Sequence, residues 1–209
     1  MPLIYQHHIN GDTKIAIWHI AETEEYFLKK VPLKKDVSHP HKRLQHLAGR
    51  YLLPALFADF PLEEILIADT RKPFLENEKY HFSISHCGDF AAAIASNKNR
   101  VGVDIELITP KIERIKHKFL SVDELAFIKH QEPVKEKLNI LTTAWSIKEA
   151  VFKWHGNGEM DFIKHLQIQP FLFNNEGGTA EVRFLKNEDR LLQLHYRHFD
   201  SIVLAWVLS

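Results

Sequence analysis

The run YHFSISHCGDFAAAIASNKNRVGVDIELI, residues 80–108, holds three extended segments parted by turn residues. Residues 80–85 alternate apolar and polar side chains, and Gly88-Asp89 marks a turn. Residues 90–96 and 101–107 are then predicted as two more strands, with the polar Asn97-Lys98-Asn99 turn between them. The Ala-rich middle segment suits a helix by propensity, but its short length between turn signals predicts a strand in a three-stranded meander. In the last strand, GVDIEL (102–107), successive side chains alternate faces. Asp104 and Glu106 therefore point one way, Val103 and Ile105 the other. Two carboxylates at that separation repel unless water or a cation lies between them. A half-exposed strand with a solvated polar face would satisfy them as well.

Upstream, KIAIWHI (14–20) reads as a strand, and residues 22–30 as a short helix. SHPHKRLQHLAGRYLLPALFADF (38–60) has helical spacing through Leu44, Leu47, Tyr51 and Leu52, with Arg43 and Arg50 one heptad apart. Pro54 is expected to kink or end that helix. EEILIADT (63–70) reads as a short extended piece before a turn at Arg71-Lys72-Pro73. Downstream, PKIERIKHKFL (110–120) is helical, and SVDELAFIKH (121–130) opens a helix with Ser121 and Glu124 in capping-box relation. TTAWSIKEAVFKWHG (142–156) predicts a helix that stops at Gly156. LQIQPF, AEVRFL, LLQLHYR and SIVLAWVL complete the chain as strands. This order predicts an α+β fold of two pseudo-symmetric α/β halves, 1–105 and 106–209, closely packed with no low-complexity linker.

The 209 residues suffice for one large domain or two small ones, and 45% apolar with 26% charged residues is an ordinary globular composition. Lys plus Arg equals Asp plus Glu at 27 each, so no global basic field gathers nucleic acid. The single cysteine, Cys87, excludes an internal disulfide and fits a reducing compartment. The opening MPLIYQHHINGD lacks the pattern of a secretory signal, and no segment has the ~20 apolar residues of a membrane span. A cytoplasmic protein is expected. The fourteen histidines show no zinc spacing.

Three stretches carry the chemistry. In WSIKEAVFK (145–153), Trp145, Glu149 and Lys153 lie at i, i+4 and i+8 and share a helical face. Glu149 and Lys153 also make an ordinary surface pair, but Trp145 beside them predicts a face that looks inward, where charges need partners. Glu149 set against Asp104 and Glu106 would complete a hard all-oxygen site suited to Mg2+ with phosphate oxygens and water. In SISHC (83–87), Ser85 and His86 are donors suited to phosphate. Cys87 reads as a small buried residue, because neighbouring strand residues point to opposite faces and His86 is poorly placed to activate it. Arg43, Arg50 and Lys72 are bases suited to further phosphate groups.

With HKRLQHLAGRYLL, RKPFL, FSISHC, GVDIE and WSIKEAVFK in this order over residues 42 to 158, the chain resembles the 4'-phosphopantetheinyl transferase superfamily. Its length resembles the monomeric, two-lobed type that activates peptide and polyketide synthetase carrier domains. The resemblance implies a cleft between the halves that binds coenzyme A. It also implies transfer of the 4'-phosphopantetheine arm to a serine of an apo acyl carrier protein or peptidyl carrier domain, releasing adenosine 3',5'-bisphosphate. By motif position Asp104, Glu106 and Glu149 would hold Mg2+, with Mn2+ the alternative ion. Lys153 and His86 would contact the phosphates, and Lys72 with Arg43 or Arg50 the 3'-phosphate. Glu149, or a water it orients, would be the base for the carrier serine. Lys153 would serve the leaving phosphate, and Asp104 completes the catalytic set. KIERIKHK (111–118) is the expected basic docking surface for an acidic carrier, with Phe119 or Leu120 adding an apolar contact. The competing expectations are another Mg-dependent diphosphate enzyme and a catalytically silent module that binds coenzyme A or a carrier.

Overall fold

A computed structural model describes residues 2–33, 37–131 and 136–209. In chain order the elements are β1 (Leu3–His8), β2 (Thr13–His19), α1 (Glu24–Leu28), α2 (Pro40–Leu56), β3 (Leu66–Ile67), β4 (Pro73–Phe74), β5 (His81–Cys87) and β6 (Phe90–Ser96). Then follow β7 (Val101–Leu107), α3 (Lys111–Ile115), α4 (Val122–His130), α5 (Lys137–His155), β8 (Leu166–Ile168), β9 (Gly177–Phe184), β10 (Arg190–Phe199) and β11 (Ile202–Leu208). One sheet has the order β1-β2-β6-β5, a second β7-β11-β10-β9-β8, and β3 with β4 forms a short ribbon. Among the described residues, no helix is long and apolar enough to cross a membrane.

The expected meander is corrected by the sheet order. β5 and β6 form the predicted hairpin, with Cys87 opposite Phe90. The other edge of β6 is taken by β2, so β7 has no place beside it and pairs antiparallel with β11 in the second sheet. The chain changes sheet between β6 and β7, and the expected division at 105/106 falls inside β7. Each half repeats one path: strand, helix, then a hairpin whose last strand returns beside the first. In the first half this gives β2-β6-β5 around α2, and in the second β7-β11-β10 around α5.

Three apolar cores hold the layers. Leu47, Leu52, Leu53 and Leu56 of α2 pack on Ala91, Ala93 and Ala95. Ile140, Ala144, Ile147 and Val151 of α5 pack on Val182, Leu194, Ala205 and Val207. Between the sheets, Ile15, Ile17, Ala92 and Ile94 meet Val103, Ile105, Ile202 and Leu204. β6 is thus buried on both faces, which is why its sequence is a continuous apolar run with no polar alternation.

α2 runs through Pro54 to Leu56 and neither stops nor breaks there. The proline lies two residues from the helix end, where the lost N–H affects one bond only, and buried Leu53 and Leu56 hold the last turn on the sheet. The capping box at Ser121 is complete in both directions, and α5 ends at Gly156 with φ 75°. Within GVDIEL, Gly102 is required by close packing. A Cβ there would lie 2.1 Å from the Ala150 carbonyl oxygen and 2.7 Å from the Trp154 nitrogen, so α5 rests directly on the β7 backbone.

β5 and β7 are edge strands of different sheets that run alongside each other. The Ser83 hydroxyl accepts the Val103 N–H at 3.2 Å, and the Ser85 hydroxyl accepts the Ile105 N–H at 3.2 Å. Two serines at period two therefore stand where the carbonyls of a partner strand would be. This hydroxyl seam joins the lobes and delivers β5 to the edge of the site.

Candidate active site

The expected face of α5 does meet the expected face of β7. Lys153 Nζ donates to Asp104 Oδ1 at 2.7 Å and to Ser85 Oγ at 2.6 Å. The Ser85 hydroxyl donates to Asp104 Oδ1 at 2.9 Å, so it accepts two bonds and gives one, its full inventory. Trp145 Nε1 donates to Glu106 Oε1 at 3.1 Å. Asp104 is only 2% exposed, and its Oδ2 is buried without a hydrogen-bond partner among the described residues.

The electrostatics follow from this crowding. Loss of water raises the Glu149 carboxyl to about 7, and the Asp104 charge pushes the same way. Burial, then Asp104, also raises Glu106, while the Trp145 hydrogen bond and Lys153 pull it back. One ammonium thus faces three desolvated carboxylates. Among the described residues, no three His, Cys, Asp or Glu side chains stand in metal-ligating arrangement, and Lys153 is paired with Asp104. The chemistry of Asp104, Glu106 and Glu149 fits a hard cation: each offers carboxylate oxygens, and among the described residues a buried Asp104 oxygen lacks a partner.

The remaining charge of WSIKEAVFK has a different task. Lys148 is fully buried and gives its three protons to Glu124 Oε2 at 2.9 Å, Phe119 O at 2.7 Å and Phe162 O at 3.0 Å. Glu124 also accepts the N–H groups of Ser121 and Ile168, both at 2.8 Å. This satisfied pair ties α5 to the start of α4 and to β8. Phe119 and Leu120 are buried, Phe119 against Trp145, so the apolar docking contact expected of them is corrected.

A cleft of about 580 Å3 is lined by Lys42, His46, Arg50, Arg71 and His86, with Ile65, Ile67 and Pro73 as an apolar wall. His86, which feels the charges of Lys153 and Asp104, links it to the carboxylates. Arg50 donates to His46 Nδ1 at 3.0 Å. Of the expected bases, Arg50 and His86 line this cleft, Lys72 lines a smaller cavity adjoining it, and Arg43 lines neither. Arg43 Nε donates to Glu24 Oε1 at 2.7 Å and its Nη1 to Val37 O at 3.0 Å, which fastens α2 to α1. Lys72 Nζ donates to Trp154 O at 3.3 Å, and Lys72 lines, with Lys153, a smaller cavity of about 190 Å3 that shares Arg71, Pro73 and Ile84 with the cleft. Lys42, His46 and Arg71 were not singled out by sequence. For Lys42 and His46 the signal was present, since 42, 46 and 50 are spaced i, i+4, i+8. Cys87 has the opposite of nucleophile activation: burial, then Glu106 and Asp104, push its thiol up.

Residues 100–207 match the family model described as the 4'-phosphopantetheinyl transferase superfamily. The 4'-phosphopantetheinyl transferase AcpT of Escherichia coli K12 is 30% identical over 134 residues, 63% of this chain and 67% of that protein. AcpT of Salmonella typhimurium LT2 is 30% identical over 125 residues, 58% of this chain and 64% of that protein. The 4'-phosphopantetheinyl transferase psf-1 of Bacillus pumilus is 32% identical over 112 residues, 52% of this chain and 47% of that protein. A Haemophilus influenzae relative is 30% identical over 147 residues, and the chain spans 60% of its length. The chain thus spans about half to two thirds of the length of the relatives it matches.

Proposed function

Because the chain belongs to the 4'-phosphopantetheinyl transferase superfamily, its matching residues covering about half of it, we propose that it moves the 4'-phosphopantetheine arm of coenzyme A to a serine of an apo carrier protein. The observation that carries this reading is the meeting of Asp104, Glu106, Glu149 and Lys153 beside a cleft lined by cations and one apolar wall. A nucleotide with several phosphates suits such a cleft: the base lies on Ile65, Ile67 and Pro73, and the charged groups meet Lys42, His46 and Arg50.

In this reading the serine oxygen forms a bond to the phosphorus next to pantetheine, the diphosphate P–O bond breaks, and adenosine 3',5'-bisphosphate leaves. Asp104, Glu106 and Glu149 would hold a divalent cation, Mg2+ or Mn2+, which when bound neutralises diphosphate charge. Lys153 stands at the mouth of this group, where its ammonium meets the leaving phosphate. Glu149, on the α5 face shared with Lys153, would take the serine proton directly or through a water it orients. Trp145 orients Glu106, and Ser85 orients both Asp104 and Lys153. The basic segment Lys111–Lys118 lies next in the chain to the carboxylate strand and suits an acidic carrier.

The test is intact mass measurement on a panel of apo carrier proteins incubated with the protein, coenzyme A and Mg2+. A gain of one phosphopantetheine group that EDTA abolishes is expected. Coenzyme A binding without modification of any carrier would overturn the reading and favour a silent binding module.

A further inference from the structure

The carboxyl end of α5 is held by the other lobe. The last carbonyls of a helix have no intrahelical partner. Here Trp154 O accepts from Lys72 Nζ at 3.3 Å, His155 O from Arg100 Nη2, and Gly156 O from Thr70 Oγ1 at 2.9 Å. Thr70 and Lys72 belong to the turn of the β3–β4 ribbon, and Arg100 to the link between the two sheets. Two cations at the negative end of a helix are favourably placed. Gly156 leaves room for one of them, because a Cβ there would lie 2.4 Å from Lys72 Cδ and 2.6 Å from its Nζ. Burial, then the nearby Arg100 charge, lowers the Lys72 ammonium to about 8, as expected of a cation enclosed at this junction.

The same turn also faces the cleft. Arg71 and Pro73 line the basic cleft, while Lys72 between them reaches back to α5. Lys153 immediately precedes the held carbonyls of residues 154–156 and bonds Ser85 of the first lobe and Asp104 of the second. We infer that Lys72 is a positioning residue: with Thr70 it clasps the end of α5 and thereby sets Lys153 against the cleft wall, and it does not itself bind the nucleotide phosphates. The consequence for turnover rests on the transferase reading, but the clasp does not.

Three variants decide it: Lys72→Met, which keeps the aliphatic stem and removes the donors, Lys72→Arg, which keeps donors, and Thr70→Val, which removes one hydroxyl. Lys72→Met should lower kcat about tenfold, as small misplacement of a reacting group does, with the Kd for adenosine 3',5'-bisphosphate within about twofold by calorimetry. Amide exchange in residues 152–156 and in 68–74 should accelerate together, by about tenfold. Lys72→Arg should recover most of the rate, and Thr70→Val should give a milder form of the same pattern should Lys72→Met not fold. A Kd raised about tenfold in Lys72→Met, with exchange at 152–156 unchanged, would make Lys72 a phosphate ligand and overturn the inference. If the wild-type protein modifies no carrier, the functional reading falls, while exchange and nucleotide affinity still decide the clasp.

Discussion

Ser85 is the residue on which most of the site depends. Its hydroxyl receives Lys153 and the Ile105 N–H and donates to Asp104, so one oxygen joins the lobe seam to the reacting groups. Ser85→Ala should cost about 1–2 kcal/mol of stability, since it strands a buried backbone N–H. It should also lower the transfer rate more than it alters nucleotide affinity, which steady-state kinetics and a urea titration would separate. A second residue, His198, governs acid stability. Burial lowers it to about 4, and its Nε2 lies 2.9 Å from Thr143 Oγ1. That hydroxyl donates to Asn139 O, so the imidazole is the donor and is neutral, with Nδ1 unpartnered. Below its ordinary value near 6.5 the unfolded chain takes up a proton that the folded chain refuses. Stability is therefore lost as pH falls from about 6.5 toward 4, by about 1 kcal/mol per pH unit at most. The shift in urea midpoint between pH 7 and pH 5 should change in His198→Gln by the His198 contribution alone. Glu149, raised by burial, and His86, His155 and His195, lowered by it, titrate in both proteins.

α5 is the element whose sequence was most legible. Its i, i+4, i+8 face and its stop at glycine followed from spacing, whereas the meeting of Glu149 and Lys153 with the carboxylates of β7 was only a condition their charges set and an implication of the family resemblance. The role of Lys148 did not follow, because a lysine between Ile147 and Glu149 gives no sign that three acceptors await it in the core. Glu124→Ala would leave that ammonium buried and uncompensated, and should destabilise the protein by about 3–5 kcal/mol. Glu124→Leu with Lys148→Met should recover much of the loss, as denaturant titrations of the three proteins would measure. A double variant no more stable than Glu124→Ala would refute that account of the pair. On α2, spacing placed 43 and 50 nearly in register, yet Arg43 sits at the helix start within reach of Glu24 on α1. Lys42 and His46 reach the cleft in its place. Which of two adjacent bases stays free depends on a neighbouring helix, and that is tertiary information.

For the whole molecule, most strands were legible but their partners were not, and β1 (Leu3–His8) and the short β4 (Pro73–Phe74) were not read as strands at all. The 80–108 run was read as three strands, which it contains, but a turn of Asn97-Lys98-Asn99 looks alike whether it closes a hairpin or carries the chain to another sheet. The separation into two sheets makes the hydroxyl seam necessary: β5 and β7 each end a sheet, and each covers the edge of the other through Ser83 and Ser85. Solubility therefore depends on both halves being present. Severing the link between residues 96 and 101 and producing the halves apart would leave β5 and β7 as bare templates for intermolecular pairing, and the Ile15, Ile17 and Ile94 face uncovered. Each half alone should aggregate, and co-production should yield a soluble pair, which sedimentation of cell extracts would reveal. Two separately soluble halves would contradict it. A bond pattern that looks like local decoration on two strands thus acts as mutual protection against fibre-like association.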